Sequence, residues 1–104
     1  MKNDIVFEYY DVSITVIKKH FNPEFLEQYA PNPEAWGECT HFNIGDEFVV
    51  KGKSPWTMPE GFCGWAWADI QQLVFGMARG GMDSFVTCCT DGFRPVLFGL
   101  KKIK

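Results

Sequence analysis

Apolar and polar residues alternate along the first well-patterned stretch of the chain, residues 12–18, where Val12, Ile14 and Val16 occupy every second position. Successive side chains of a β-strand point to opposite faces, so this spacing places the three residues on one face. The pattern predicts a strand with one buried face.

A short helix is predicted next, over residues 23–29. Asn22 offers a side chain that can cap the helix, and Pro23 has the backbone angle suited to a first helical position. Apolar residues at positions 25, 26 and 29 share one face, and Pro31 ends the helix. A proline-rich loop over 31–40 then leads to a strand at 48–50 that ends at Gly52.

The longest helix is predicted after a second loop, residues 53–61. Its apolar residues recur at intervals of three and four, which places them on one face of a helix. Gly80-Gly81 follows as a terminator, because glycine readily adopts the left-handed conformation that ends helices. The predicted apolar face consists of Cys63, Ala66, Trp67, Ile70, Leu73, Val74 and Met77.

The last segment predicts a β-hairpin, from Ser84 to Cys89 and from Arg94 to Lys102, around an Asp-Gly turn. Pro95 has no N–H and would break the ladder of a two-residue loop, so a four-residue loop over 90–93 is predicted. Consecutive strand residues alternate, and the adjacent thiols at 88 and 89 should therefore face opposite ways.

These elements predict one α+β domain over residues 1–104. We expect an antiparallel or mixed sheet of about four or five strands, packed on one main amphipathic helix and ending in the C-terminal hairpin. The length of 104 residues suits a single core, and the apolar fraction of 46% and aromatic fraction of 16% can fill it.

The net charge and the N-terminal sequence indicate which partners and which cellular compartment to expect. The formal charge of −3 gives no general attraction to phosphate backbones, which argues against nucleic-acid binding. No stretch approaches about 18 apolar residues, and the N-terminal MKNDIVFEYYD is acidic where a signal peptide is basic. We therefore expect a soluble cytoplasmic protein without membrane contact, whose four cysteines are thiols or metal ligands.

Cys63 is the leading chemical candidate, because the start of a helix favours a thiolate. Cys39 precedes the second strand and Cys89 lies at the mouth of the hairpin, so folding can gather the three sulfurs. Such a set, with His41 or water as a fourth ligand, suits zinc or iron. The simpler alternative is that each cysteine is a packed apolar residue, and no pair has the C-x-x-C spacing of a metal knuckle.

Catalytic and ligand-binding candidates surround these thiols. His41 or Glu60 are candidate bases for a Cys63 nucleophile, and His41 shares a face with Cys39 if that segment is a strand. Arg94 is a candidate for holding an anion.

Asp91 is either a further polar contact or only a turn former. The aromatic residues in the loops either wall a pocket for a planar or apolar ligand or pin those loops to the core. The pocket candidates are Trp36, Trp56, Phe62 and Trp65.

Three stretches together resemble a family of short uncharacterised proteins common in anaerobic bacteria and archaea: CTHFNIGDEF at 39–48, MPEGFCGWAWADI at 58–70 and CCTDGFRPVLF at 88–98. The motifs that carry the resemblance are PEGFCxxAW and C-x-DG-x-RPVxF, within a similarity that spans residues 12–103. The resemblance implies no activity. It marks Cys39, Cys63 and Cys89 as motif positions, whereas the family's additional cysteine corresponds to Thr87 and not to Cys88.

Three hypotheses follow from the sequence. The first is a binding module whose cysteine cluster and aromatic loops hold a metal or a thiol-reactive or small aromatic ligand. The second is a thiol-dependent enzyme with Cys63 as nucleophile. The third is a protein-interaction or homodimeric domain that associates through an exposed edge of the hairpin and only packs its cysteines.

Overall fold

A computed structural model describes residues 8–103 and confirms the α+β class. The strands are β1 (Val12–Lys19), β2 (Glu47–Val50), β3 (Ser84–Cys88) and β4 (Val96–Lys102). They form one antiparallel sheet in the order β2-β1-β4-β3. The helices are α1 (Pro23–Tyr29) and α2 (Gly64–Ala78), and a single 3-10 turn covers Pro33–Ala35.

The two central strands are β1 and β4, which pair along their whole length apart from a shift in register between Val16 and Lys18. Val12, Ile14 and Val16 are fully buried, which confirms the alternation read from the sequence. Directly paired residues of an antiparallel sheet share a face, so the β1 pattern fixes which residues of β4 point to the core. Val96, Phe98 and Leu100 do so.

α2 covers this face of the sheet with its predicted apolar stripe. Ala66, Trp67, Ile70, Val74 and Met77 are buried, whereas Leu73 and Cys63 are only partly buried. Gly80 has φ +91°, the left-handed conformation expected of a terminator. Burial of one stripe supplies most of the stability of such a helix, because propensity alone is marginal at this length.

A cluster of aromatic rings joins the loop before β2 to this core. Phe42 lies in that loop and is 2% exposed. Its ring centroid is 5.1 Å from that of Phe62, 5.3 Å from that of Phe98 and 5.9 Å from that of Phe48. Ring contacts at these distances add to the hydrophobic gain of burial, and those with Phe48 and Phe98 are edge-to-face.

α1 differs from the expectation in its cap and its buried face. The Asn22 side chain makes no cap hydrogen bond and instead donates to the Gly92 carbonyl at 2.8 Å. Only Leu26 is buried, whereas Phe25 and Tyr29 are exposed. The start of α1 is therefore fastened to the hairpin through Asn22.

The hairpin loop is longer than the four residues predicted from Pro95. The Cys89 N–H donates to the Val96 carbonyl at 3.1 Å, so pairing stops there and the loop covers residues 90–95. Pro95 then lies outside the ladder, where its missing N–H breaks no bond. Within the loop, the Asp91 carboxylate accepts from the Phe93 N–H and its carbonyl accepts from the Arg94 N–H, which builds a separate turn.

None of the helices within residues 8–103 combines the length and the apolar character needed to cross a membrane.

Candidate functional site

A cavity of about 480 Å³ opens between the hairpin loop, the start of α2 and the segment before β2. This volume lies within the usual range of small-molecule sites, about 300–1,000 Å³. Aromatic and other apolar side chains dominate the lining, and the polar groups come mainly from the hairpin loop. The lining residues are Trp36, Cys39, Thr40, His41, Phe42, Cys63, Trp65, Ala66, Cys89, Thr90, Asp91, Gly92, Phe93, Arg94 and Val96.

Three of the four cysteines line this cavity, and all three pack against the core. Cys63 occupies the position just before α2, where its carbonyl accepts the first helical bond from the Trp67 N–H at 2.8 Å. The Cys89 sulfur accepts a hydrogen bond from the Val96 N–H at 3.4 Å. The thiols therefore border the same space without being joined in a disulfide.

A metal centre built from these thiols lacks a ligand set. In the described part of the chain, no group of three or more His, Cys, Asp or Glu side chains is placed to hold a metal ion. The sequence expectation of zinc or iron on Cys39, Cys63 and Cys89 therefore gains no support from the geometry.

Cys88 lies apart from the other thiols. It is exposed, does not line the cavity, and pairs with Leu97 on the face of the sheet that points away from α2. Adjacent residues of a strand point to opposite faces, so the neighbouring thiols of the CC pair meet different surroundings. Cys89 meets the cavity and Cys88 meets solvent.

Arg94 and Trp36 form the polar side of the cavity. The Arg94 Nε donates to the Asp91 Oδ2 at 3.1 Å, and the guanidinium carbon lies 4.8 Å from the centre of the Trp36 ring. Phe93 meets the same indole edge-on, with ring centroids 5.2 Å apart. The ion pair and the cation–π contact hold Arg94 over the ring, and Asp91 offsets its charge.

The hairpin loop is tied to α2 through Asp69, which the sequence pattern places on the polar side of that helix. The Asp69 carboxylate accepts from the Thr90 N–H at 2.8 Å and from the Thr90 hydroxyl at 3.0 Å. The Trp65 indole N–H donates to the same hydroxyl at 2.8 Å. Trp65 and Asp69 are four residues apart and so lie on one face of α2, where both side chains bond to Thr90.

The second tie of the loop comes from Asn22. Its side-chain amide donates to the Gly92 carbonyl and its backbone N–H donates to the Phe93 carbonyl, both at 2.8 Å. The loop is thus bonded to α2 at one end and to the start of α1 in its middle. This wall of the cavity is therefore fixed in place before any ligand arrives.

Other candidates lie elsewhere or are already engaged. The His41 ring Nε2 is 2.9 Å from the Gly61 carbonyl oxygen and donates to it, and the segment that joins His41 to Cys39 is not a strand. Glu60 is exposed and does not line the cavity. Phe62, expected in the pocket wall, lies in the core at 4% exposure. Trp56 packs on Phe75, outside the cavity.

Asp69 was expected to be solvated on the polar side of the long helix and instead bonds to Thr90, and the sequence assigned no role in the site to Thr90 or Phe93. For Asp69 a signal exists, since its spacing from Trp65 puts both on one face of a predicted helix. Phe93 carries no comparable signal, because its position against Trp36 depends on the loop conformation.

Searches for related proteins among family models, curated proteins and solved structures give no match for this chain. The resemblance drawn from the three cysteine-containing stretches therefore stays a prediction.

Proposed function

We propose that this protein is a small-molecule binding module whose cavity holds a planar aromatic ligand against Trp36. The observation that carries the proposal is the lining of the cavity, in which indole and phenyl rings and three thiols surround a few polar groups. Sites for small molecules have this composition, because apolar walls supply affinity and a small number of polar groups fix orientation.

The ligand is expected to be neutral or only weakly charged. Asp91 already pairs with Arg94, so the polar side of the cavity has little net charge to offer an anion. An anionic group at the Nη atoms of Arg94 would lie close to the Asp91 carboxylate, and repulsion between the two negative charges would offset much of the gain. Stacking and apolar contact therefore supply most of the affinity.

A thiol-dependent enzyme has weaker support. The Gly61 carbonyl holds the Nε2–H of the candidate base His41 and leaves Nδ1 as an acceptor, but no hydrogen bond joins this ring to a cysteine in the described residues. Glu60 does not border the cavity. A nucleophile needs a base within hydrogen-bond reach, held by a third group. The side chains around Cys63 therefore suit the wall of a binding site better than a reaction centre.

Binding of a fluorescent aromatic probe tests the proposal. The neutral probe N-phenyl-1-naphthylamine should bind, and Trp36→Leu should raise its dissociation constant about 10-fold, which corresponds to about 1.4 kcal/mol of lost ring contact. The anionic probe anilinonaphthalene sulfonate should bind no more tightly than the neutral one. Fluorescence titration gives both constants.

The matched control for that titration is Trp56→Leu, which removes an exposed tryptophan outside the cavity. It should leave the dissociation constant unchanged. Equal weakening by both substitutions, or no binding of the neutral probe, would contradict the proposal.

Thiol labelling gives a second test, with a control inside the chain. Iodoacetamide labelling, followed for each cysteine by mass spectrometry, should slow about tenfold at Cys39, Cys63 and Cys89 when the neutral probe is present at about ten times its dissociation constant. Cys88 faces away from the cavity, so its labelling rate should not change. A probe that leaves all three cavity thiols as reactive as before binds somewhere else.

A further inference from the structure

β3 forms one edge of the sheet and lacks the usual protection of an edge. It pairs with β4 on one side, and within the described residues no strand pairs with its other side. Phe85 and Val86 are 47% and 57% exposed, and the strand, SFVTC, contains neither a charged residue nor a proline. Native proteins normally block such edges with charges, prolines, bulges or a covering segment.

The opposite edge is different. β2 has only four residues, begins with Glu47 and is followed directly by Lys51. Short, charged edge strands discourage pairing with another chain. The two edges of the sheet are thus unequal, and β3 is the one that is open to a further strand.

The backbone groups that β3 presents outward follow from the hydrogen bonds at its two ends. The Cys89 N–H donates to the Val96 carbonyl and the Lys102 N–H donates to the Asp83 carbonyl, so the odd-numbered residues bond towards β4. In an antiparallel ladder alternate residues bond to opposite sides. The N–H and C=O groups of Ser84, Val86 and Cys88 therefore point away from the sheet.

We propose that β3 pairs antiparallel with β3 of a second copy of this chain, around a two-fold axis at Val86. The outward groups of Val86 then bond to those of Val86 in the partner, and the groups of Ser84 bond to those of Cys88 in the partner. Every outward residue finds a partner in this register, and the two sheets become continuous.

The side chains suit the same arrangement. On the outer face the exposed Val86 meets its own copy, and on the helix face Phe85 lies opposite Thr87 of the partner. No like charges are brought together, because the strand carries none. A two-fold contact needs a self-complementary surface, and a second copy supplies it. This contact is independent of ligand binding in the cavity.

Sedimentation velocity over a range of protein concentrations tests the contact. The unmodified protein should show a reversible monomer–dimer equilibrium. Val86→Lys brings two ammonium groups together at the axis and should raise the dimer dissociation constant about 100-fold or more. The matched control Val49→Lys places the same charge on the exposed outer side of the other edge strand and should leave the dimer intact.

A monomer at every concentration overturns the proposal. So does a dimer that survives Val86→Lys, or one that Val49→Lys also dissociates. Circular dichroism checks that both variants fold.

Disulfide trapping tests the register of the β3–β3 pairing. It also replaces the sedimentation test if Val86→Lys does not fold. Ser84→Cys places a thiol opposite Cys88 of the partner, at a Cα separation of about 5.5 Å that a disulfide can span. Diamide, which takes up the two electrons and two protons released, should then give a covalent dimer. The dimer should be absent when Cys88→Ser is added, and absent for Ser13→Cys, which lies on the central strand β1. Cross-linking of Ser13→Cys to the same extent overturns the register.

Discussion

Phe42→Ala is expected to lower the free energy of unfolding by about 3–5 kcal/mol, as large-to-small changes at buried aromatic positions do. Phe42 is 2% exposed, and its ring contacts those of Phe48, Phe62 and Phe98. Removing it leaves a cavity in the core and frees the loop before β2. Since native domains are stable by only about 5–15 kcal/mol, this single change removes a large part of the total. Chemical denaturation measures it.

The matched control is Phe25→Ala, the same chemical change at a phenylalanine that is 44% exposed on α1. It should cost below about 1 kcal/mol, because surface substitutions seldom cost more. Phe42→Leu, which keeps most of the apolar volume, should fall between the two. Equal losses for Phe42→Ala and Phe25→Ala would mean that the loop is not anchored by this ring.

Gly52→Ala should be the second large effect, and its origin is steric. A Cβ at position 52 would lie 2.6 Å from the backbone nitrogen and oxygen of Tyr10, closer than real Cβ contacts. The neighbouring backbone cannot shift freely, because the Gly52 N–H donates to Asp11 at 2.8 Å and the Tyr10 N–H donates to the Ala78 carbonyl at 2.9 Å. We expect a loss of about 2–3 kcal/mol, which is typical of overpacking that moves backbone.

Gly76→Ala controls for the loss of a glycine as such. Apart from the adjoining residues and the backbone of α2 itself, nothing lies within 4 Å of a Cβ built at position 76, and the residue is exposed. Alanine is the better helix former, so this change should stabilise the protein by about 0.5–1 kcal/mol. The midpoint of thermal denaturation should fall for Gly52→Ala and rise for Gly76→Ala. A shift of the same sign for both would refute the steric explanation.

The elements with regular periodicity are those that the sequence predicted well. Val12, Ile14 and Val16 are buried because alternation in a strand depends only on local backbone geometry. The same holds for Ile70, Val74 and Met77 on α2. In both the strand and the helix, the spacing of apolar residues along the chain indicates which face is buried.

The predictions that depended on a local rule alone were less reliable. Asn22 stands where a cap is expected, but its amide bonds to Gly92, which is 70 residues further along the chain. The prediction of a four-residue hairpin loop was wrong, because the need to keep Pro95 out of the ladder sets only a minimum loop length. Asp91 then organises a longer turn. At Asn22 a tertiary contact replaced the local one, whereas in the hairpin a second local turn lengthened the loop.

The candidate site shows the same division. Cys39, Cys63 and Cys89 border one cavity, as expected from the ends of the elements that carry them. Phe62 was assigned to the pocket because it lies in a glycine-containing loop, yet the loop turns its ring into the core. Asp69 holds the hairpin loop although it lies on the polar side of α2; its spacing from Trp65 is visible in the sequence, but its partner Thr90 is not.

The sheet order has a consequence for biosynthesis. The central strands β1 and β4 are the first and last strands of the described chain, so the middle of the sheet is incomplete until residues 96–102 have left the ribosome. Until then β1 lacks its β4 neighbour and the core lacks Val96, Phe98 and Leu100, and non-local pairing of this kind forms slowly. The nascent polypeptide is therefore at its most aggregation-prone just before β4 emerges from the ribosome, when a ribosome-associated chaperone would protect it most.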